Sequence, residues 1–169
     1  ELMIAVLQAL DYAHERGVVH RDIKPENIMV GSHGEVRLMD WGIARRIDQP
    51  DPGEGTGLIG TPAYMSPEQC ACGPLDRRSD VYSAVVTLHE LMGLRHYLAH
   101  RADSMFGLIE AVQNESVDMF AGDVAIPPEV RHICERGLAK DREQRYQSAA
   151  DLITDLRHYI DGTARVQCM

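Results

Sequence analysis

The segment 79–92 constrains the fold of this chain more than any other. Val81, Tyr82, Val85, Val86, Leu88, Leu91 and Met92 follow one another too closely to share one face of a helix. A helix here is apolar almost all round, so other elements have to enclose it. The candidates are helices. In the opening stretch Met3, Leu7, Leu10 and Ala13 recur at helical spacing and Gly17 offers a stop. Further periodic stretches run over 103–113, over 128–138 with two prolines at its start, and over 148–160, where Ser148 and Asp151 suit a capping-box-like start. The first helix has no N-cap before Glu1 and no initiator Met. The chain is therefore expected to begin inside a helix, as a piece of a longer protein.

Strand signals are few. A β-like stretch covers 18–20, and 27–30 with 36–39, joined by 31–35, reads as a small hairpin. From Asp48 to Gly57 the chain is rich in Gly, Pro and Asp and poor in apolar residues, the composition of a loop. With 169 residues the chain buries roughly 70% of its unfolded surface, which suits one core. The expected fold is a single, mainly α domain with a small β-hairpin.

Charge narrows the function. Lys and Arg number 17 against 26 Asp and Glu, a net charge of -9, and the lysines are Lys24 and Lys140 alone. Phosphate backbones are bound by concentrated basic faces, so a nucleic-acid partner is not expected. No apolar run approaches the roughly 20 residues of a membrane span, and the first residues lack the features of a signal peptide. Four cysteines are too sparse for a disulfide scaffold, and Cys70 and Cys72 have no second pair for zinc. Reduced thiols in a cytoplasmic segment are expected, with a membrane anchor elsewhere in a longer chain left open.

The densest polar cluster is His20, Arg21, Asp22, Lys24, Glu26 and Asn27, followed after the hairpin by Asp40, Trp41 and Gly42. Asp22 can take a proton from an attacking hydroxyl, Lys24 can neutralise a phosphate, and Asn27 and Asp40 offer oxygens to a hard cation. Any one of these residues alone is more simply a charged loop residue. Together they fit phosphoryl transfer.

The run from His20 to Asn27 resembles the catalytic loop of protein kinases, and Asp40-Trp41-Gly42 resembles their magnesium-binding motif. Gly60 to Glu68 resembles the substrate-docking loop with the Ala-Pro-Glu motif, Asp80 to Ser83 the start of the large central helix, and Arg145 the arginine that pairs with the motif's glutamate. Five motifs in order make chance implausible. The wording of 60–69 looks most like bacterial kinases of the eukaryotic type. Trp41, Ser66, Val85 and Arg142 depart from the family's usual Phe, Ala, Gly and Pro.

The resemblance implies the carboxy-terminal lobe of a serine/threonine protein kinase, with a partial kinase domain over 1–161 and a tail over 162–169. Asp22 would be the catalytic base, Lys24 would contact the transferred phosphate, Asn27 and Asp40 would hold Mg²⁺ (or Mn²⁺), and Met29 would lie under the adenine of ATP. Core packing in the hairpin predicts an apolar residue at Met29 equally well. Thr61 would serve substrate docking, and Thr56 would be an activating phosphosite gripped by Arg21. His20, Trp41, Glu68, Asp80 and Arg145 would be structural, Trp41 stacking in a column between His20 and Asp80. The implied partners are a protein substrate with Ser or Thr and an amino-terminal lobe of the same chain, since no glycine-rich loop or strand lysine precedes Asp22. Two alternatives are a non-catalytic kinase lobe acting as a binding module and a kinase-like small-molecule phosphotransferase. Residues 61–68 speak against the second.

Overall fold

The computed structural model describes residues 1–49, 58–93, 95–101, 104–115 and 126–162. Helices dominate. Helix α1 (Leu2–His14) is followed by strand β1 (Val18–Val19), the hairpin of β2 (Ile28–Val30) and β3 (Val36–Leu38), and strand β4 (Arg45–Arg46). A one-turn helix α2 (Pro67–Cys70) precedes α3 (Arg77–Gly93), α4 (Met105–Asn114), α5 (Pro128–Gly137) and α6 (Ala149–Ile160).

Helix α3 is the enclosed element. Every residue from Ser79 to His89 is buried, and α1, α5 and α6 pack against it. Two of its buried hydroxyls are satisfied within the helix: that of Ser83 donates to the Ser79 carbonyl at 3.3 Å and that of Thr87 to the Ser83 carbonyl at 3.0 Å. Leu7 and Leu10 of α1 are fully buried, each contributing about 1.5 to 3 kcal/mol of burial. The core continues through Val130, Ile133 and Cys134 of α5 and Leu152, Ile153 and Leu156 of α6. Met65, Cys70, Leu98, Ala111 and Val112 form a smaller second cluster between α2 and α4.

Local sequence explains the helix ends. Ser148 caps α6 by accepting from the Asp151 N–H at 3.1 Å, Ser104 caps α4 by accepting from Gly107 at 2.9 Å, and Pro128 opens α5. The Asp76 carboxylate accepts from the Arg78 N–H at 2.8 Å, and α3 starts at Arg77, two residues before the expected segment 79–92.

The hairpin pairs Ile28 with Leu38, Met29 with Arg37 and Val30 with Val36. This register corrects one expectation. Met29 and Val30 are 52% and 53% exposed, whereas Leu38 is buried and Ile28 and Val36 pack on the core, so core packing does not account for Met29. The second two-stranded sheet, β1 with β4 in antiparallel register, was not foreseen because Arg45 and Arg46 carry no strand pattern. Among the described residues no helix is long and apolar enough to cross a membrane.

Candidate active site

The site is built outward from Asp80, at the start of α3. Its buried carboxylate accepts from the His14 ring at 2.8 Å, from the backbone N–H of His20 at 2.7 Å and from that of Arg21 at 2.9 Å. These bonds fix the chain where Arg21 takes a left-handed conformation, φ 74°, a cost of about 1 kcal/mol or more for a side chain of this size. The His20 ring accepts from the Asp22 N–H at Nδ1 (3.3 Å), so its Nε2 donates to the Met39 carbonyl at 2.9 Å. The Trp41 ring stands edge-on to His20 at 4.6 Å and its indole N–H donates to Leu38 at 3.0 Å. Asp80, His20 and Trp41 thus connect the central helix to the end of the hairpin.

Asp22 lies at the centre of the polar groups. One carboxylate oxygen accepts from the Lys24 ammonium at 2.8 Å and the Asn27 amide at 3.2 Å, and the other accepts from the backbone N–H of Thr61 at 2.9 Å. Lys24 also donates to the Thr61 hydroxyl at 2.6 Å. Burial alone would raise the Asp22 carboxyl, but the Lys24 and Thr61 donors outweigh it and hold the group below the ordinary carboxylate range. The residue is ionised near neutral pH and can accept a proton.

The Asn27 amide nitrogen donates to the Asp22 carbonyl at 2.8 Å, which commits that end of the amide and leaves its oxygen as the end that could meet a cation. A bond of 2.7 Å from the Met39 N–H to the Asn27 carbonyl closes the base of the hairpin and brings Asn27 and Asp40 to one end of it. Asp40 is exposed, has φ 58°, and accepts from the Gly42 N–H at 3.4 Å. Two hard oxygen donors suit Mg²⁺, which commonly takes one or two protein ligands and completes its shell with water and phosphate.

The segment 60–69 closes over the loop 20–27. Gly60, φ 119°, passes so near that a Cβ would stand 2.8 Å from the Arg21 carbonyl oxygen, so only glycine fits. A 3₁₀ turn over Pro62–Tyr64 follows. The Tyr64 hydroxyl donates to Glu90 at 2.6 Å and the His96 ring to the Ala63 carbonyl at 3.0 Å. Glu68 and Arg145 meet in a two-pronged pair, 2.8 and 2.9 Å, with the Arg145 side chain fully buried. Burial would raise the Glu68 carboxyl, but Arg145 and the Ser79 hydroxyl hold it below its ordinary value.

Asp22, Lys24, Asn27 and Thr61 are therefore in direct contact, and His20, Trp41 and Asp80 form a second connected set. Met29 and Asp40 are exposed. Arg21 donates through Nε to the Ile43 carbonyl at 2.6 Å; Thr56 lies outside the described residues. The sequence did not point to His14, Gln69 or Glu90 as part of this arrangement. Only Gln69 had a readable signal, the Ser66-x-x-Gln69 spacing of a capping box.

The model of the family described as "Protein kinase domain" matches residues 1–156. The chain is 38% identical over 165 residues to a probable serine/threonine-protein kinase PknB of Bifidobacterium longum, covering 96% of this chain and 24% of that one. It is 40% identical over 167 residues to a probable serine/threonine-protein kinase, SCO3848, of Streptomyces coelicolor (96% and 24%). It is 35% identical over 170 residues to the serine/threonine-protein kinase PknB of Mycolicibacterium smegmatis (97% and 26%). The chain spans about a quarter of the length of these curated relatives.

Proposed function

The chain belongs to the protein kinase domain family, and on that premise we propose that it is the carboxy-terminal lobe of a serine/threonine kinase that transfers the γ-phosphoryl of ATP to protein hydroxyls. One observation carries the reading: Lys24 bridges Asp22 and Thr61 at 2.8 and 2.6 Å, joining a proton acceptor and a cation to the segment on which a substrate would dock. Asp22 takes the proton of the attacking hydroxyl. Lys24 balances the charge that develops on the transferred group, and Asn27 and Asp40 would hold Mg²⁺, which supplies charge neutralisation on the phosphates. The similar proteins named as serine/threonine-protein kinases support the substrate class.

The amino-terminal lobe is part of the proposal. Ala9, Tyr12, Ala13, Val36, Leu38, Met39 and Trp41 line an apolar groove beside the hairpin, and Tyr12, Met29, Val30 and Met39 are exposed. A surface of this kind suits coverage by a second lobe, with Met29 against the nucleotide base. Positioning supplies most of the catalysis in phosphoryl transfer, so 1–169 alone is expected to show negligible turnover against the roughly 1 to 100 per second of ordinary kinases.

The test uses the complete protein with Mg-ATP and a protein substrate. Asp22→Asn should abolish phosphoryl transfer while circular dichroism and the unfolding midpoint stay close to those of the parent. Undiminished transfer by that variant would remove Asp22 from the chemistry.

A further inference from the structure

Gln69 makes a contact that phosphoryl transfer as described above leaves without a role. The residue is only 5% exposed, and both ends of its amide are engaged. Its oxygen accepts from the backbone N–H of Ser66 at 3.1 Å and from the Ser66 hydroxyl at 3.2 Å. Its nitrogen donates to the Arg21 carbonyl at 2.9 Å, across 48 positions of sequence. Ser66, itself fully buried, accepts in turn from the Gln69 N–H. The capping box therefore fixes the Gln69 amide before it reaches the catalytic loop.

The Arg21 carbonyl belongs to the peptide unit that leads into Asp22. On its amino-terminal side the chain is held by Asp80, through the N–H groups of His20 and Arg21. On its carboxy-terminal side the Asp22 N–H reaches His20 only at 3.3 Å. Arg21 is in the left-handed region, so this peptide unit sits in a conformation that its own sequence does not favour. Gly60 abuts the carbonyl, and Gln69 donates a hydrogen bond to it. Rotation of this unit would swing the Asp22 carboxylate out of reach of Lys24 and Thr61.

We infer that Gln69 is a positioning residue for Asp22, holding the Arg21–Asp22 peptide in its left-handed turn and so tying the aim of the catalytic base to the docked state of the segment 60–69. The inference rests on the reading of Asp22 as the base. Ser66, where the family usually has Ala, is part of the same device because an alanine accepts no capping bond.

The experiment compares three variants of the complete protein. Gln69→Glu keeps the oxygen facing Ser66 but replaces the donor to Arg21 by a second acceptor; Gln69→Met keeps the length and removes both bonds. Leu156→Ala is the control, a cavity in α6 that lowers stability away from the site. Both Gln69 variants should lower kcat about tenfold to a hundredfold, with KM for ATP and protein within about twofold, as expected when a reacting group is misplaced and binding is kept. Leu156→Ala should lower the melting temperature at least as much and leave kcat unchanged. Amide exchange over 20–24, read by mass spectrometry, should be faster in the Gln69 variants than in the control. Wild-type kcat in both Gln69 variants, a loss that Leu156→Ala reproduces, or unchanged exchange over 20–24 would overturn the inference. A complete protein that transfers no phosphate would sink the kinase reading separately, and the exchange comparison would still decide whether Gln69 holds this peptide.

Discussion

At the scale of single residues, the departures from the usual kinase wording each have a partner in the structure. Trp41 uses an indole N–H that phenylalanine lacks to reach the Leu38 carbonyl. Ser66 accepts the capping bond of Gln69. Arg142 donates to the Pro74 carbonyl at 3.1 Å and approaches Asp76 at 3.5 Å, where a proline would make neither contact. Trp41→Phe should therefore cost about 0.5 to 1.5 kcal/mol in urea unfolding, the usual worth of one hydrogen bond. No change in stability would mean that water replaces the indole at Leu38 without loss. Lys140 provides a residue-scale pH dependence. Burial, with Arg145 nearby adding to it, pushes its ammonium down to about 8, while it donates to the Val112 carbonyl at 2.6 Å. Between that value and the ordinary lysine value of about 10.4 the unfolded chain binds the proton that the folded chain has released. Stability from this group accordingly rises with pH across that window, and Lys140→Met should remove the rise from an unfolding series over the same range.

At the scale of elements, close helix packing explains the fourth departure. Val85 of α3 faces Gly137 of α5, where an added Cβ would stand 2.5 Å from a Val85 methyl. A valine in the central helix thus fits because its neighbour has no side chain. Gly137→Ala should destabilise by about 1 to 3 kcal/mol through overpacking, and Val85→Ala in the same chain should recover part of that loss; a neutral Gly137→Ala would show that α5 shifts freely. How much was legible follows the same physics. The helices were readable because their apolar residues recur at the helical period, and α5 was bounded almost correctly by its prolines. Helix α3 starts two residues before the segment 79–92, since Arg77 and Arg78 carry no apolar signal and Asp76 caps them. Strand β4 was invisible because its two arginines pair only through their backbone with β1. In the site, Asp22, Lys24, Asn27 and Thr61 could be named from chain order, but not that Lys24 would bridge Asp22 and Thr61. That contact spans 37 positions and depends on the fold of everything between. The role of His14 at Asp80, 66 positions away, was hidden for the same reason.

For the whole molecule, Arg145 supplies one of the ties that hold the segment 60–69 to the helical body, beside those of Tyr64 to Glu90 and of Glu68 to Ser79. Its guanidinium grips Glu68, 77 positions away, and also donates to the carbonyls of Ala139, Lys140 and Arg78 at 2.6, 2.9 and 3.4 Å. Its charge lies 4.9 Å from the centre of the buried Tyr82 ring on α3. A buried pair of this kind gains little net stability over an apolar replacement, because desolvation offsets most of the attraction, but removing one partner strands the other at about 3 to 5 kcal/mol. Arg145→Ala additionally strands the three carbonyls, so its single effect exceeds the worth of the pair. A double-mutant cycle with Glu68→Gln cancels that excess, because the carbonyls are stranded whether or not the carboxylate is present. Coupling well above about 0.5 kcal/mol is expected, and a value inside that additivity scatter would show that the fork does not form in solution. Acid provides an independent reading of the same contact. The Glu68 carboxyl is lowered in the folded chain by Arg145 and Ser79, so its contribution is complete above the ordinary glutamate value of about 4.3 and is lost as pH falls below it. Asp22 and Asp76 are lowered too, and Glu68→Gln should therefore flatten, without abolishing, the fall in stability below that pH. In an Arg145→Ala background the same change should no longer flatten the acid limb as it does in the parent, since only the Ser79 hydroxyl is then left to offset the burial of the carboxyl.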